Sequence, residues 1–264
     1  MDTLISSLST TSTASLIGWT LAACLLLTNA KSLPLAHSLR LFPSLYRLFR
    51  PRLFGRPSPG KGTPPTAATG SGAPRASPAL FSHYRTSSRA VPFDLDVNLH
   101  KSNSTFFADA DISRAALLTK LLSQGLASLS TVPLLAAVQC SFKREIKPLQ
   151  AYDVSSRILT WDDKSLWVVT YFLQSGFKLP ADVEVFGGKG IEGLMGDKGL
   201  RRGVFAVMVS RYVCKKGRET VEPGRVFRAA GLLVDGDGKD GLVDGEKVEV
   251  ARRNGLKYLE GCML

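Results

Sequence analysis

Apolar and polar positions change their rhythm several times along the chain. Residues 3–30 carry no charge, and their densest part, residues 14–27, reads ASLIGWTLAACLLL. A bilayer span needs about 20 mainly apolar residues. This run reaches that length only by including the Ser and Thr before Ala14. Residues 33–54 mix Leu and Phe with Arg, and Leu41, Leu45, Leu48 and Phe49 can share one face. That pattern fits either an interfacial helix on anionic lipid or a solvated basic linker. Pro43 and Pro51 predict that any helix here is short or kinked. Residues 55–78 are rich in Gly, Pro, Ser, Ala and Thr, lack core hydrophobes, and read as a flexible tether.

From residue 80 the pattern is that of a folded domain. Residues 84–93 read as a strand. Residues 104–126 read as a helix, with Ala108, Ile112, Ala115, Ala116, Thr119, Leu122 and Leu126 at helical spacing. Leu117, Leu118 and Leu121 fill its other sides, so it is apolar nearly all round and predicted to be buried. Gly125 lies near its end. Residues 137–146, 152–161 and 166–174 are β-branched and aromatic, and residues 162–165 form a hairpin turn between the last two. Residues 204–214 and 225–234 continue the sheet, residues 177–203 form a Gly-rich insertion, and residues 246–264 form a short helix. One antiparallel β-sheet wrapped around one long buried helix is an α+β layout. The expected organisation is an anchor over 1–31, a basic juxtamembrane segment and linker over 32–79, and a domain over 80–264.

The chemistry concentrates in DLDVNLHKSNSTFFADADISR, residues 94–114. Asp94 and Asp96 share a face of an extended end. Asn98, His100, Ser102 and Asn103 follow on a loop. That loop feeds the start of the buried helix, where backbone N–H groups lack intrahelical partners. Carboxylates beside free N–H groups make a workable site for a polarised carbonyl. The plain alternative is that Asp94 or Asp96 caps the helix or makes an Asx-turn. His100 can orient a carboxylate or meet a backbone carbonyl, Asn103 can hold the loop, and Asp111 with Arg114 predicts an ion pair at i, i+3.

The order D-x-D-x-x-x-H-x-x-N, then an aromatic and D-x-x-R, resembles the opening of the hot-dog-fold thioesterases. The nearest branch is the membrane-tethered, 4-hydroxybenzoyl-CoA-thioesterase-like one. Asp96, His100, Asn103, Phe107, Asp111 and Arg114 fall on that pattern, whereas Ser102 stands where the family usually has Asn. The likeness extends through residues 142–174. It implies a hot-dog fold that hydrolyses an acyl-CoA or carrier-bound acyl thioester, and a homodimer with acyl tunnels at its interface. Asp96 then supplies the base or nucleophile, with His100 and Asn103 beside it. Ser104 and Thr105 lie at the helix start that would hold the oxyanion. Lys143 and Arg144, with Arg157, are candidates for CoA phosphates. The alternative is a non-catalytic acyl- or lipid-binding scaffold on the same fold.

Charge refines this picture. The 264 residues carry a net charge of +12, and residues 1–79 hold 8 Lys/Arg against one acid. The basicity is mostly N-terminal, which points to membrane lipid and away from nucleic acid. No Lys or Arg precedes the apolar run, whereas Lys31, Arg40 and Arg47 follow it. This disfavours a cleaved signal peptide. The positive-inside rule places the domain on the cytosolic side of a single-pass membrane protein, with the endoplasmic reticulum as the expected membrane. The four Cys show no metal or disulfide spacing. No cofactor or metal is expected. No GxSxG elbow or phosphate loop is present, and DGDGKDGLVDGE, residues 235–246, departs from a calcium loop at Lys239 and Asp240.

Overall fold

The computed structural model describes residues 13–53, 79–179, 202–233 and 245–262. The tether over 55–78, most of the insertion over 177–203 and most of the acidic loop over 235–246 lie outside the described residues. The central element is α3 (Asn103–Ser128), which lies in the hollow of a curled antiparallel sheet. The sheet runs in the order β1-β3-β4-β5-β2: β1 (Tyr84–Arg89), β3 (Ala151–Trp161), β4 (Ser165–Gln174), β5 (Val204–Lys216) and β2 (Val132–Phe142). A short β6 (Glu219–Val221) extends β5 on its far end.

Local chemistry sets these elements. Asp162 Oδ1 accepts the N–H groups of Lys164 and Ser165 at 2.8 and 2.6 Å, closing the β3–β4 turn. Alternate residues Tyr152, Val154 and Ile158 of β3 pack in the clusters that contain α3, as the period of two along a strand requires. The helix presents Phe106, Ala110, Leu117, Leu118, Leu121, Leu122 and Leu126 as its buried apolar residues. The sequence pattern phased this helix through Ala108, Ile112 and Ala115, which are only half-buried. A helix apolar nearly all round gives a weak phase, and tertiary contacts choose it. Each fully buried Leu or Phe contributes about 1.5–3 kcal/mol. Beneath the helix, Ser113, Ser156 and Thr170 form a buried hydroxyl chain with 2.8 Å links.

One expectation fails beyond the C-terminal end of α3. The helix runs to Ser128, with Gly125 near its end. Gly125 is also a contact point, since a Cβ there would stand 2.2 Å from the Val226 carbonyl oxygen. The segment read as a strand over 225–234 is the helix α4 (Pro223–Ala229). Pro223 in its first turn pre-sets the backbone, and Val226 and Phe227 are buried in the same cluster as Leu122 and Leu126 of α3. A last helix, α5 (Gly245–Cys262), packs against β3 on the outer face of the sheet. Gly255 permits that approach, because a Cβ would stand 2.6 Å from Thr160 Cβ. Leu259 joins Leu159, Trp167 and Val169 there.

The N-terminal segment overturns the membrane-anchor expectation. Helix α1 (Thr13–Thr28) has 16 residues, about 24 Å at 1.5 Å per residue, against about 30 Å of bilayer hydrocarbon. Among the described residues no helix is long and apolar enough to cross a membrane. The apolar run stops because Asn29 belongs to the domain: it is buried, and its Oδ1 accepts the Phe93 N–H at 2.7 Å. The single-pass placement at the endoplasmic reticulum is therefore withdrawn. Helix α2 (Ala36–Leu53) runs through Pro43 and Pro51 without ending. It packs against α3: Arg40 reaches Asp109, the Ser44 carbonyl accepts from Thr119, and Leu48 is buried in the core. Those contacts hold the helix against the cost of its interior prolines. The segment read as either an interfacial helix or a solvated basic linker is thus seated on the domain.

Candidate active site

The hairpin before α3 organises the site. Leu95 and Lys101 bridge as antiparallel partners. The Asp96 N–H donates to the His100 carbonyl at 2.9 Å, and the Ser102 N–H donates to the Asp94 carbonyl at 2.7 Å. Leu99 takes a positive φ of 60° to close the tip. The Lys101 N–H donates to the Ile146 carbonyl at 2.9 Å, tying the hairpin to the loop after β2.

Within this frame, Asp96 is half-buried, and its Oδ1 accepts from the N–H groups of Asn98 and His100 at 2.9 and 3.4 Å. Its Oδ2 has no hydrogen-bond partner among the described residues. His100 Nε2 lies 3.4 Å from Glu145 on the loop after β2. Asn103 and Ser104 open α3 with exposed side chains. Their backbone N–H groups fall in the first turn, which has no intrahelical acceptor. Ser102 takes the N-cap position without capping; its hydroxyl is 3.0 Å from that of Ser104. Thr105 Oγ1 donates to the Ser102 carbonyl at 2.8 Å and accepts from Lys101 Nζ at 3.0 Å.

The basic candidates separate. Arg144 is exposed, donates to the Arg202 carbonyl and lies 5.2 Å over the Phe205 ring. Lys143 uses its N–H on the Phe205 carbonyl at 2.8 Å and is half-buried. Arg157 is only 2% exposed and cannot meet a phosphate at the surface. On α3, Arg114 pairs with Asp111 and donates to Ser210, fully buried.

Sequence reasoning missed the polar network beneath the hairpin. Lys31 Nζ lies 2.5 Å from Asp94 and 3.4 Å from Asp109. Lys101 Nζ lies 3.5 Å from Asp94 and 2.9 Å from Asp109, and Tyr152 donates its hydroxyl to Asp109. Burial raises the Asp109 carboxyl, but Lys101, Lys31 and the Tyr152 hydroxyl outweigh it and hold it down at about 2. Burial pulls the Lys101 ammonium below its usual value, with Asp109 opposing. Burial, reinforced by the Asp109 charge, pushes the Tyr152 phenol up. Asp94, for which the sequence offered a cap or an Asx-turn, sits inside this network. Asp109 was legible only in a helix phased on Phe106 and Ala110. Among the described residues no group of three or more His, Cys, Asp or Glu is placed to hold a metal.

A curled antiparallel sheet around one long buried helix, with an acidic hairpin delivered to that helix's start, defines a hot-dog-fold protein. The chain belongs to the thioesterase-like superfamily, whose sequence profile matches residues 91–216. The "Probable thioesterase atnL" of Emericella nidulans is 37% identical over 246 residues, covering 86% of this chain and 74% of that one. "Thioesterase poxG" of Penicillium oxalicum is 37% identical over 206 residues, covering 69% of this chain. The chain spans 66% of that relative's length. Among solved structures, the YbaW probable thioesterase from Escherichia coli aligns with a TM-score of 0.42 at 12% identity, over 56% of this chain and 96% of that one.

Proposed function

We propose that this chain hydrolyses an acyl thioester, carried on CoA or on a carrier protein, with Asp96 as its general base. The observation that carries the reading is the state of Asp96. One carboxylate oxygen is locked by two backbone N–H groups, and the other is free, in the hairpin that ends at the start of α3. The thioester oxygen would accept from the Asn103 and Ser104 N–H groups, which the helix dipole favours as negative charge develops. Water then attacks the carbonyl carbon while Asp96 Oδ2 takes its proton. Collapse of the tetrahedral intermediate breaks the C–S bond, and the thiolate leaves to be protonated from solvent. His100, held by Glu145, positions Asp96 through its backbone N–H and carbonyl. Lys143 and Arg144 are the basic candidates for a CoA phosphate.

The same reading includes a homodimer. Strand β2 is a sheet edge of 11 residues, with Leu134 and Leu135 exposed at 51% and 44%. An edge of that length and apolarity invites pairing with another chain. On its inner side Val138 and Cys140 stay partly buried against α3 near Phe107, a trough that a second copy would roof for the acyl group.

The deciding experiment is Asp96→Asn in the full chain, assayed by thiol release from short-, medium- and long-chain acyl-CoAs. General-base loss lowers kcat/KM by about 100-fold or more. Equal turnover by both proteins, or none by either, refutes the assignment. A second reading, a non-catalytic acyl-binding scaffold, is favoured by one detail: the bonds of Asp96 Oδ1 are also those of an Asx-turn. Acyl-CoA binding without turnover in both proteins would select it.

A further inference from the structure

The polar floor of the candidate site is completed by a segment outside the family-matched span. Asn29, Lys31, Ser32 and Arg40 all precede residue 91, yet each ends on the hairpin or on α3. Asn29 Oδ1 holds the Phe93 N–H at 2.7 Å. Ser32 Oγ donates to Asp94 Oδ1 at 2.6 Å. Lys31 Nζ meets Asp94, Asp109, Ser88 and Tyr152 between 2.5 and 3.4 Å. Arg40 approaches Asp109 at 3.3 Å.

Charge counting shows what Lys31 does there. Asp94 and Asp109 are 6% and 5% exposed at their side chains, and Lys101 is fully buried. Without Lys31, the two buried carboxylates keep one buried ammonium and the part-exposed guanidinium of Arg40. With it, two ammonium groups stand between the two carboxylates and Arg40 adds a third cation at the rim. Buried ions are tolerated only when paired and hydrogen-bonded. The consequence reaches Asp96 through the backbone. Asp94 lies two residues before Asp96, and its carbonyl accepts the N–H of Ser102, the N-cap of α3. Fixing Asp94 therefore fixes both the carboxylate-bearing strand and the helix start.

We propose that residues 29–40 form a strap that positions the loop carrying Asp96, with Lys31 as a positioning residue for thioester hydrolysis. The proposal rests on the role assigned above to Asp96. The groups facing Lys31 are Asp94 and Lys101 of the hairpin, Asp109 of α3, Tyr152 of β3 and Arg40 of α2. Loss of Lys31 removes one of the cations that hold the Asp109 carboxyl down, so that carboxyl binds a proton at higher pH. The hairpin's set thus becomes pH-dependent in a range where the wild type is constant.

The test uses the full chain and its Lys31→Met, Lys31→Arg and Ser32→Ala variants, with decanoyl-CoA as probe. A misplaced base lowers kcat by about 10- to 100-fold in Lys31→Met while KM stays within about threefold. The acid limb of the kcat profile moves to higher pH, and Lys31→Arg recovers most of the loss. Amide exchange at Asp96, Leu99 and Ser102 quickens at least about tenfold in Lys31→Met, the range local opening reports. Ser32→Ala, which keeps every charge, quickens the same amides to a smaller extent. Wild-type kcat, pH profile and hairpin exchange in Lys31→Met overturn the proposal. So does a loss of turnover that follows only a fall in melting temperature, with hairpin exchange unmoved in Ser32→Ala. Quickened hairpin exchange in a chain whose wild type hydrolyses no acyl-CoA keeps the strap and discards the hydrolase reading instead.

Discussion

Replacing Asp109 with Asn probes the buried network most directly. The substitution keeps the size of the side chain and removes one charge. Asp109 accepts from Lys101 at 2.9 Å, from Lys31 at 3.4 Å and from Tyr152. Its carboxyl is held at about 2 against an ordinary 3.8. At 1.36 kcal/mol per unit, that depression stabilises the ionised fold by about 2 kcal/mol. The variant loses more, because Lys101 is left fully buried with Asp94 at 3.5 Å as its one remaining carboxylate beside the neutral Thr105 hydroxyl. Breaking a buried pair from one side costs about 3–5 kcal/mol. At about 2–4 °C per kcal/mol for a domain of this size, melting falls by about 6–20 °C at neutral pH. The sign with pH follows from the depressed carboxyl. Its stabilisation is complete above 3.8 and is lost as pH falls through about 2. Calorimetric melts of both proteins over that range should show a gap that is constant at neutral pH and narrows by about 2 kcal/mol towards pH 2. A gap under about 2 °C at neutral pH, or one that persists undiminished at pH 2, refutes the account.

Other outcomes follow from single contacts. Gly125→Ala drives a Cβ to 2.2 Å from the Val226 carbonyl oxygen. It should lift α4 off α3 and cost about 1–3 kcal/mol by overpacking, read as a lower urea midpoint. Gly255→Val should detach α5 from β3 through its clash with Thr160 and the Leu159 carbonyl. Proteolysis would then cut the C-terminal helix while leaving the sheet intact. If β2 pairs with a second copy, Leu134→Lys should turn a dimer into a monomer in light scattering; an unchanged mass speaks against that edge.

Much of the frame could be read from the chain, for stated physical reasons. The β3–β4 hairpin announces itself by two β-branched runs around Asp162 to Ser165. The helix before β2 announces itself by length and apolarity. The segment after β6 does not, because Val226, Phe227 and Ala229 look like strand residues until Pro223 and the close approach at Gly125 are placed in space. The hairpin was legible as a site because its polar residues are contiguous. Its foundation was not, since Ser32 and Asp94 are separated by 62 positions, and Lys31 and Asp109 by 78. Local periodicity carries no record of such pairings. The uncharged N-terminal run misled for a related reason: its composition suits a span, while the burial of Asn29 and the pairing of Lys31 depend on partners far along the sequence.

That long separation has a consequence during synthesis. Lys31 leaves the ribosome 121 residues before Tyr152, the most distant of its partners. At about 5–20 residues per second, the lysine waits roughly 6–24 s, hydrated and unmatched, while the partners that will enclose it are translated. That segment is made before the strand that helps enclose it, and the nascent chain must keep it within reach until β3 emerges.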